Sequence, residues 1–337
     1  MVYVFNGIGV GLLDASFNFM LGGLVDSNEL LGILHGCYGL GCLISPVLIT
    51  SLLQKQTGPW SWNQVYMLLC TYGAIGTILI IILFRDETVK KYRYVLMVKN
   101  NKSAKLAISK NNDLEMNNFD VNSDNESIDE NSLNSDLATM TQSLKSKLIW
   151  VFAMSLMIYV GGETAFGAWL ITFLMRIKKF AYKHSSYMAT SFWLGLTTGR
   201  MTLGFVTSKY FKNELLANMV YVAWSAAGFL IFWLLAFLPT DYILFAVVFL
   251  TGLGVGPIFP TTIVTALKIL PAKYHTAGVG FICAFGGSGG AIIPFLVGLI
   301  ADTSSFGLRI FPLMILSMFI ILSAIWGGLF KRYASKF

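Results

Sequence analysis

Nine long apolar stretches constrain what this chain can fold into more than any other feature of its sequence. Each has roughly 20 residues or more, the length that an α-helix needs to cross the hydrocarbon core of a bilayer. In lipid, every backbone N–H and C=O group must find its partner within the spanning structure, which favours helices. The sequence therefore predicts an all-α integral membrane protein with nine transmembrane helices. The predicted spans are residues 2–24, 30–53, 64–84, 148–175, 186–206, 216–238, 242–267, 276–300 and 308–330.

The composition excludes an ordinary water-soluble protein. Hydrophobic residues make up 55% of the chain and charged residues only 12%, whereas about 25% of the residues in a soluble domain are charged. The net charge is +7, but the Lys and Arg residues are spread over loops that flank the spans, so a nucleic-acid partner is not expected. The His and Cys residues have no metal-ligand spacing. No metal site and no other cofactor is predicted.

A polar segment divides the chain into two unequal sets of spans. Between residues 85 and 147 lies a stretch crowded with Asn, Asp, Glu and Ser, which cannot bury enough apolar surface to offset the entropy of folding. We predict a partial N-terminal helical half of three spans at 1–84, a disordered central loop at 85–147 and a C-terminal six-helix half at 148–337. Two N-glycosylation sequons, which begin at Asn101 and Asn125, lie in this loop and stay unmodified if it is cytoplasmic.

Basic residues near the ends of the spans predict the orientation in the membrane. Cytoplasmic connections carry an excess of Lys and Arg. This excess lies on the side of the central loop and the C-terminus, despite a basic run at 176–183 on the opposite side. Both are therefore predicted to be cytoplasmic, and nine spans then place the N-terminus outside. No charged segment with a cleavage site precedes residues 2–24, so we expect a true span there. The plasma membrane and the vacuolar membrane both remain open.

Two carboxylates, Asp14 and Glu163, lie near the middle of predicted spans. A charge at this depth costs about 2.5 to 3.5 kcal/mol on insertion scales, so an intramembrane acid is a candidate functional residue by default. Asp14 shares a helical face with Gly11 and Asn18, at offsets of three and four residues. Because loss of water disfavours the charged form of a carboxyl group, Asp14 could be protonated near neutral pH. The alternative is a neutral acid that serves helix packing only.

Glu163 lies on a helix that also carries aromatic residues. Tyr159 shares its face, and Trp169 follows on the same helix. Proteins hold sugars and other polar solutes by hydrogen bonds together with contacts to apolar rings. Substrate contact is therefore the preferred interpretation for Glu163, and a structural ion pair is the alternative. Arg200, the basic residue well inside a span, is expected to form a gating or structural pair near the cytoplasmic mouth, with substrate binding as the second alternative.

Glycine and proline interrupt the seventh span within residues 252–260. Pro257 and Pro260 belong to this block, and such clusters bend or break membrane helices where they line a cavity. The block predicts a kinked helix near a pathway, although simple helix packing explains any single glycine. Phe259 and Thr261 lie beside the break and are weaker candidates for the substrate site.

Six segments follow one another in an order that is similar to a known family. They are residues 7–18 (GIGVGLLDASFN), 34–41 (LHGCYGLG, with Pro46 after it), 159–163 (YVGGE), 193–200 (WLGLTTGR), 256–261 (GPIFPT) and 286–294 (GGSGGAIIP). This order, with a long loop after the third span, resembles the major facilitator superfamily, and within it the fucose permease-like branch with its fungal relatives. The family has twelve helices. The nine spans are expected to match helices four to twelve, and helices that resemble the first three are absent.

The resemblance implies a secondary transporter that moves a small polar solute, with a sugar as one candidate, by proton-coupled alternating access. It assigns proton coupling to Asp14. The residues expected to contact the substrate are Asn18, Tyr159, Glu163, Trp169 and Phe259. The expected partners are the solute, protons and the lipid bilayer. The first alternative is a non-transporting membrane sensor or scaffold, or a non-functional truncated transporter. An intramembrane enzyme ranks last, because the sequence shows no nucleophile or metal constellation.

Overall fold

The computed structural model describes residues 2–53, 55, 57–88, 91, 139–239, 241–303 and 305–334. Most of the predicted central loop and both sequons lie outside these residues. The helices are α1 (Val2–Gly22), α2 (Ser27–Leu53), α3 (Trp62–Phe84), α4 (Met140–Leu144), α5 (Lys147–Arg176), α6 (Tyr182–Tyr210), α7 (Glu214–Leu235), α8 (Tyr242–Val255), α9 (Ile258–Ile269), α10 (His275–Thr303) and α11 (Ser305–Tyr333). No strand occurs in these ranges, so the prediction of an all-α fold is confirmed.

Each predicted span is helical over most of its length, and the seventh is divided into α8 and α9. Within the described ranges, the segments long and apolar enough to cross a membrane are Trp62–Phe84, Lys147–Arg176, Glu214–Leu235, Tyr242–Ile269, Ala272–Ala301 and Phe306–Tyr333. A shorter apolar segment, Gly7–Gly22, lies in α1. These helices make the chain an integral, multi-pass membrane protein.

The chain forms two compact units. The first comprises Met1–Pro46 and Ala138–Phe337, and the second comprises Val47–Leu137. In the second unit, α3 begins with a capping box in which Ser61 and Gln64 satisfy each other's backbone N–H groups. All the predicted site residues belong to the first unit.

Glycines bring α6 and α8 close enough for their backbones to touch. Gly195 and Gly199 of α6 face backbone atoms of α8, and Gly252 of α8 faces backbone atoms of α6. A Cβ atom added at Gly256, which follows α8, would lie 2.5 Å from the carbonyl oxygen of Leu196. Membrane helices associate through small residues of this kind because lipid provides no hydrophobic driving force between them. The close approach fixes the end of α8 against α6.

A cluster of phenylalanine rings joins α5, α6, α7 and α11. Phe166 of α5 lies at its centre, with ring centroids of Phe192, Phe229, Phe232 and Phe311 at 4.8, 5.0, 5.1 and 5.9 Å. All five side chains are buried, and the first three pairs have the edge-to-face geometry that aromatic rings prefer. The cluster holds α5 and α6 in fixed register.

Candidate functional site

Asp14 and Asn18 lie one turn apart on α1 and interact directly. The Nδ2 group of Asn18 donates to the Asp14 carboxylate oxygen Oδ1 and to the Asp14 backbone carbonyl, both at 2.8 Å. Asn18 is fully buried and Asp14 is partly buried. Because a backbone carbonyl can only accept a hydrogen bond, these contacts fix the orientation of the Asn18 amide. Its oxygen is left to accept a hydrogen bond from another element.

His35 of α2 supplies that hydrogen bond. Its Nε2 atom lies 2.9 Å from Asn18 Oδ1, so the orientation of the amide requires Nε2 to carry the proton. Sequence reasoning missed His35 because it belongs to no metal or catalytic pattern. A signal was nevertheless present, since Gly32 and Gly39 lie three and four residues away on the same face of α2. That glycine face packs against α6, which turns His35 into the bundle.

The interruption between α8 and α9 brings Phe259 and Tyr159 to the same place. The first helix ends at Val255 and the next begins at Ile258, with Pro257 at its N-terminal cap. Pro260 has no N–H group to donate to the carbonyl four residues earlier, which weakens the ladder across this turn. The Tyr159 hydroxyl donates to the Val255 carbonyl at 3.1 Å and fastens α5 to the break.

The ring of Phe259 connects the two sides of this region. Its centroid lies 4.5 Å from that of His35 and 6.5 Å from that of Tyr159. Phe259 is 7% exposed and Tyr159 is fully buried. Thr261, one turn along α9, is also buried, and its hydroxyl donates to the Pro257 carbonyl of its own helix at 2.7 Å. An aromatic contact therefore joins the polar residues of α1 and α2 to those of α5.

Glu163 of α5 and Arg200 of α6 form a buried ion pair. The Nη2 atom of Arg200 donates to both carboxylate oxygens of Glu163, at 2.8 and 2.9 Å. Tyr159 lies four residues before Glu163 on the same face of α5. Two further nitrogens of Arg200, Nε and Nη1, are buried without a hydrogen-bond partner among the described residues. Such unpaired donors are uncommon in the interior of a folded protein.

Seven side chains thus form a continuous row, which we call the central row. It consists of Asp14, Asn18, His35, Phe259, Tyr159 and the Glu163–Arg200 pair. The charge of Arg200 acts on both Asp14 and His35. The row holds an acid, an imidazole and an ion pair in one low-dielectric region, where a change of charge at one member is felt by the others.

Trp169 lies away from the central row, toward the C-terminal end of α5. Its indole Nε1 donates to the Pro294 carbonyl of α10 at 3.0 Å. A Cβ atom added at Gly298 would lie 2.8 Å from the indole ring, so this glycine provides the space that the ring occupies. The contact fastens α5 to α10 beside a cavity of about 360 Å³, which Arg176 and Phe295 also line.

A second polar group closes one end of the first unit. Glu214 Oε1 accepts from Lys268 Nζ at 2.6 Å and from Asn28 Nδ2 at 3.0 Å, and we call these three residues the clasp. At the same end, a Cβ atom added at Gly32 would lie 2.6 Å from the Arg200 carbonyl oxygen. Near the opposite end of α1, no described atom lies within 4 Å of a Cβ at residues 7, 9 or 11. The Gly32 contact therefore places α2 directly against α6 near the clasp.

The arrangement offers groups of the kind that bind polar molecules. No group of three His, Cys, Asp or Glu side chains that could hold a metal ion occurs within the described ranges. The central row instead offers a carboxylate that can gain and lose a proton, unpaired N–H donors and apolar ring faces. These are the groups that hold a small polar solute in a largely apolar site.

The family model described as Major Facilitator Superfamily matches residues 1–231. A Saccharomyces cerevisiae protein named "Bypass of stop codon protein 6" is 34% identical over 329 residues, which covers 95% of this chain and 61% of that protein. "Glucose/mannose transporter GlcP" of Bacillus subtilis is 29% identical over 174 residues, which covers 50% of this chain and 41% of that protein. The chain thus spans less than two thirds of either relative.

Solved structures share the fold. The E. coli fucose:proton symporter FucP superposes with a TM-score of 0.57 at 16% identity, and the match covers 94% of this chain and 74% of the symporter. At this identity the likeness concerns the arrangement of helices.

Proposed function

Since this chain belongs to the major facilitator superfamily, we propose that it is a secondary active transporter of a small polar solute, coupled to protons and working by alternating access. A sugar is the favoured class of solute, because GlcP is named as a glucose/mannose transporter and FucP is described as a fucose:proton symporter. Membership of a transporter family also confirms the prediction that the protein is not an enzyme.

The central row carries this proposal. It reaches from α1 and α2, the helices of the N-terminal part, to α5 and α6 of the C-terminal part, with Phe259 between them. In transporters built from two helical halves, solute and coupling ions bind at depth in the bilayer where the halves meet, often beside a broken helix. A proton bound on one side of such a row and a solute bound on the other can each favour the same conformation.

Asp14 is the proposed proton carrier. Its carboxylate accepts a hydrogen bond from Asn18, whose oxygen in turn accepts from His35. A proton on Asp14 removes a negative charge from this chain of hydrogen bonds, which weakens the charge-assisted bond from Asn18. Asn18 then positions the acid relative to His35, in addition to any contact of its own with the solute.

Glu163, Arg200 and their aromatic neighbours are the proposed solute contacts. The unpaired Nε and Nη1 groups of Arg200 can donate to hydroxyl oxygens of a sugar. Glu163 can accept from those hydroxyl groups, and the rings of Tyr159 and Phe259 offer faces for the apolar side of a pyranose. Trp169 is also a proposed solute contact, and it lies at a distance from this group, on the part of α5 that contacts α10.

The proposed organisation places three spans before residue 84 and six after residue 148, with the central loop and the C-terminus in the cytoplasm. In this orientation, the clasp lies at the cytoplasmic end of the first unit. The excess of Lys and Arg on that side supports the assignment.

Uptake into proteoliposomes tests the proposal. The purified chain is reconstituted, and accumulation of radiolabelled glucose, mannose and fucose is followed under an inward proton gradient. The Asp14→Asn variant is expected to retain solute exchange without a gradient, while proton-driven accumulation falls to the background level. Asp26→Asn, which makes the same chemical change at an exposed position after α1, is the matched control and should accumulate solute normally.

Two outcomes would overturn these assignments. If Asp14→Asn accumulates solute and moves protons as well as the unmutated chain, coupling through Asp14 is wrong. If the unmutated chain moves none of the tested sugars yet binds one of them with an affinity that depends on Arg200, the sensor class replaces the transporter.

A further inference from the structure

A groove between the first turns of α5 and the last turns of α11 has the chemistry of an anionic lipid site. Its volume is about 520 Å³, and its walls are mainly aliphatic. Two cations, Lys147 and Arg332, lie at its mouth beside Tyr333. The side chains that form the apolar walls are Leu148, Val151, Ala324, Ile325 and Leu329, with Gly328 among them.

No acid among the described residues pairs with the cations at the mouth. Neither Lys147 nor Arg332 forms an ion pair with a described carboxylate. The sequence contains no Asp or Glu between Asp136 and Glu163, and none after Asp302. The two helices that form the groove therefore supply no Asp or Glu side chain near its mouth, and an anionic ligand matches the charge of the two cations.

The start of α5 adds to this positive potential. Helix N-termini carry unpaired backbone N–H groups and the positive end of the helix dipole, which favour phosphate. Ser146 caps α5 without a side-chain hydrogen bond to these groups. Lys147 follows at the first helical position, so a phosphate at the mouth would meet both the amides and the ammonium group.

The depth of the groove matches a lipid better than a soluble anion. Ala324 and Arg332 are eight positions apart on α11, which corresponds to roughly 12 Å along a helix. One leaflet contributes about 15 Å of hydrocarbon, so the apolar walls run along most of an acyl chain. Gly328 leaves the groove open, because no described atom lies within 4 Å of a Cβ added there.

We propose that this groove binds one glycerophospholipid with an anionic headgroup, from the leaflet in which α5 begins and α11 ends. Basic pockets between membrane helices bind anionic headgroups, and such lipids concentrate in the cytoplasmic leaflet, which is where the proposed orientation places the groove. The phosphate lies between Lys147 and Arg332, and one acyl chain follows the wall past Gly328. This inference goes beyond the proposed transport and does not depend on it.

Lipid binding to the purified full-length protein tests the proposal without any transport measurement. Delipidated protein is titrated with dioleoylphosphatidylserine or dioleoylphosphatidylcholine, and bound lipid is counted by native mass spectrometry. One serine lipid should bind at least tenfold more tightly than the choline lipid. Lys147→Gln combined with Arg332→Gln should weaken binding of the serine lipid on the order of 30-fold. This value assumes that each cation contributes as much as a Lys or Arg near an anionic membrane surface. Gly328→Leu should weaken the same binding while both charges remain.

Lys331→Gln is the matched control. It removes the same charge from the adjacent position of α11, outside the groove lining, and should leave the affinity unchanged. Equal affinity for the two lipids, or equal losses in the control and the double variant, would overturn the site. If glycerophosphoserine, which has no acyl chains, competes as well as the intact lipid, the ligand is a soluble anion and the lipid assignment is wrong.

Discussion

Replacing Glu163 by Gln should destabilise the protein strongly, because it leaves the charge of Arg200 buried without a counter-ion. The side chains of Arg200 and Glu163 are only 4% and 6% exposed. A guanidinium group does not lose its proton in proteins, so the charge cannot be relieved by deprotonation. Gln has nearly the volume of Glu and keeps one oxygen that can accept from Nη2. The change therefore removes the charge without creating a cavity.

The expected cost is that of breaking a buried ion pair, about 3 to 5 kcal/mol. At roughly 2 to 4 °C per kcal/mol, the midpoint of thermal unfolding in detergent should fall by about 10 °C. The measurement is tryptophan fluorescence during a temperature ramp, with scan rate and detergent held constant. Glu87→Gln is the control, since Glu87 makes the same type of contact with Lys91 at the surface, where such pairs contribute little.

A second variant separates the charge from the shape. Combining Glu163→Gln with Arg200→Gln removes both charges, so the double variant should recover most of the lost stability. A single variant that unfolds within 2 °C of the unmutated protein, a threshold of about 1 kcal/mol, would refute the argument that the pair is desolvated. A double variant no more stable than the single one would show that the loss arises from packing.

The close contact of α2 with α6 and the indole hydrogen bond of Trp169 can each be tested by a substitution. Gly32→Val should lower the free energy of unfolding by about 1 to 3 kcal/mol, because the backbone carbonyl of Arg200 cannot yield to the new side chain. Gly41→Val, which has open space around the new Cβ, should leave thermal unfolding nearly unchanged. Equal destabilisation by the two variants would contradict the close contact at Gly32. Trp169→Phe removes the donor to the Pro294 carbonyl and should cost about 1 kcal/mol; an unchanged unfolding midpoint would argue against that bond.

The helices were predictable because their signals are local. Length and hydropathy decide whether a stretch can span a bilayer, and the spans read from the sequence are helical in the structure. The interruption at Gly256 and Pro257 follows from chemistry within a few residues, since proline lacks the donor that continues a helix. Such features require no knowledge of neighbouring helices.

The partners of the polar residues were not predictable to the same extent. The sequence marked Glu163 and Arg200 as intramembrane charges but left pairing and substrate contact as alternatives, because 37 positions separate them and the register between α5 and α6 depends on packing. His35 was missed because a single histidine has no pattern of its own. Only the glycines on its face of α2 indicate that it points into the bundle.

The clasp was missed for a different reason. Glu214 and Lys268 lie at helix ends, where charges usually serve topology or solvation. Asn28 lies at the start of α2 and carries no charge. The hydrogen bonds that unite the three residues join helices that are far apart in the chain, so no local pattern distinguishes them from ordinary surface groups.

The turn between α8 and α9 can act as the fulcrum of a lever. The arm α9 contains 12 residues, which corresponds to about 18 Å; Phe259 is near the fulcrum and Lys268 near the tip. A change in bend of about 10° would displace the tip by roughly 3 Å on that length while the ring beside the fulcrum hardly moves. A displacement of that size would pull Lys268 out of contact with Glu214, so the bend of this turn and the integrity of the clasp are linked.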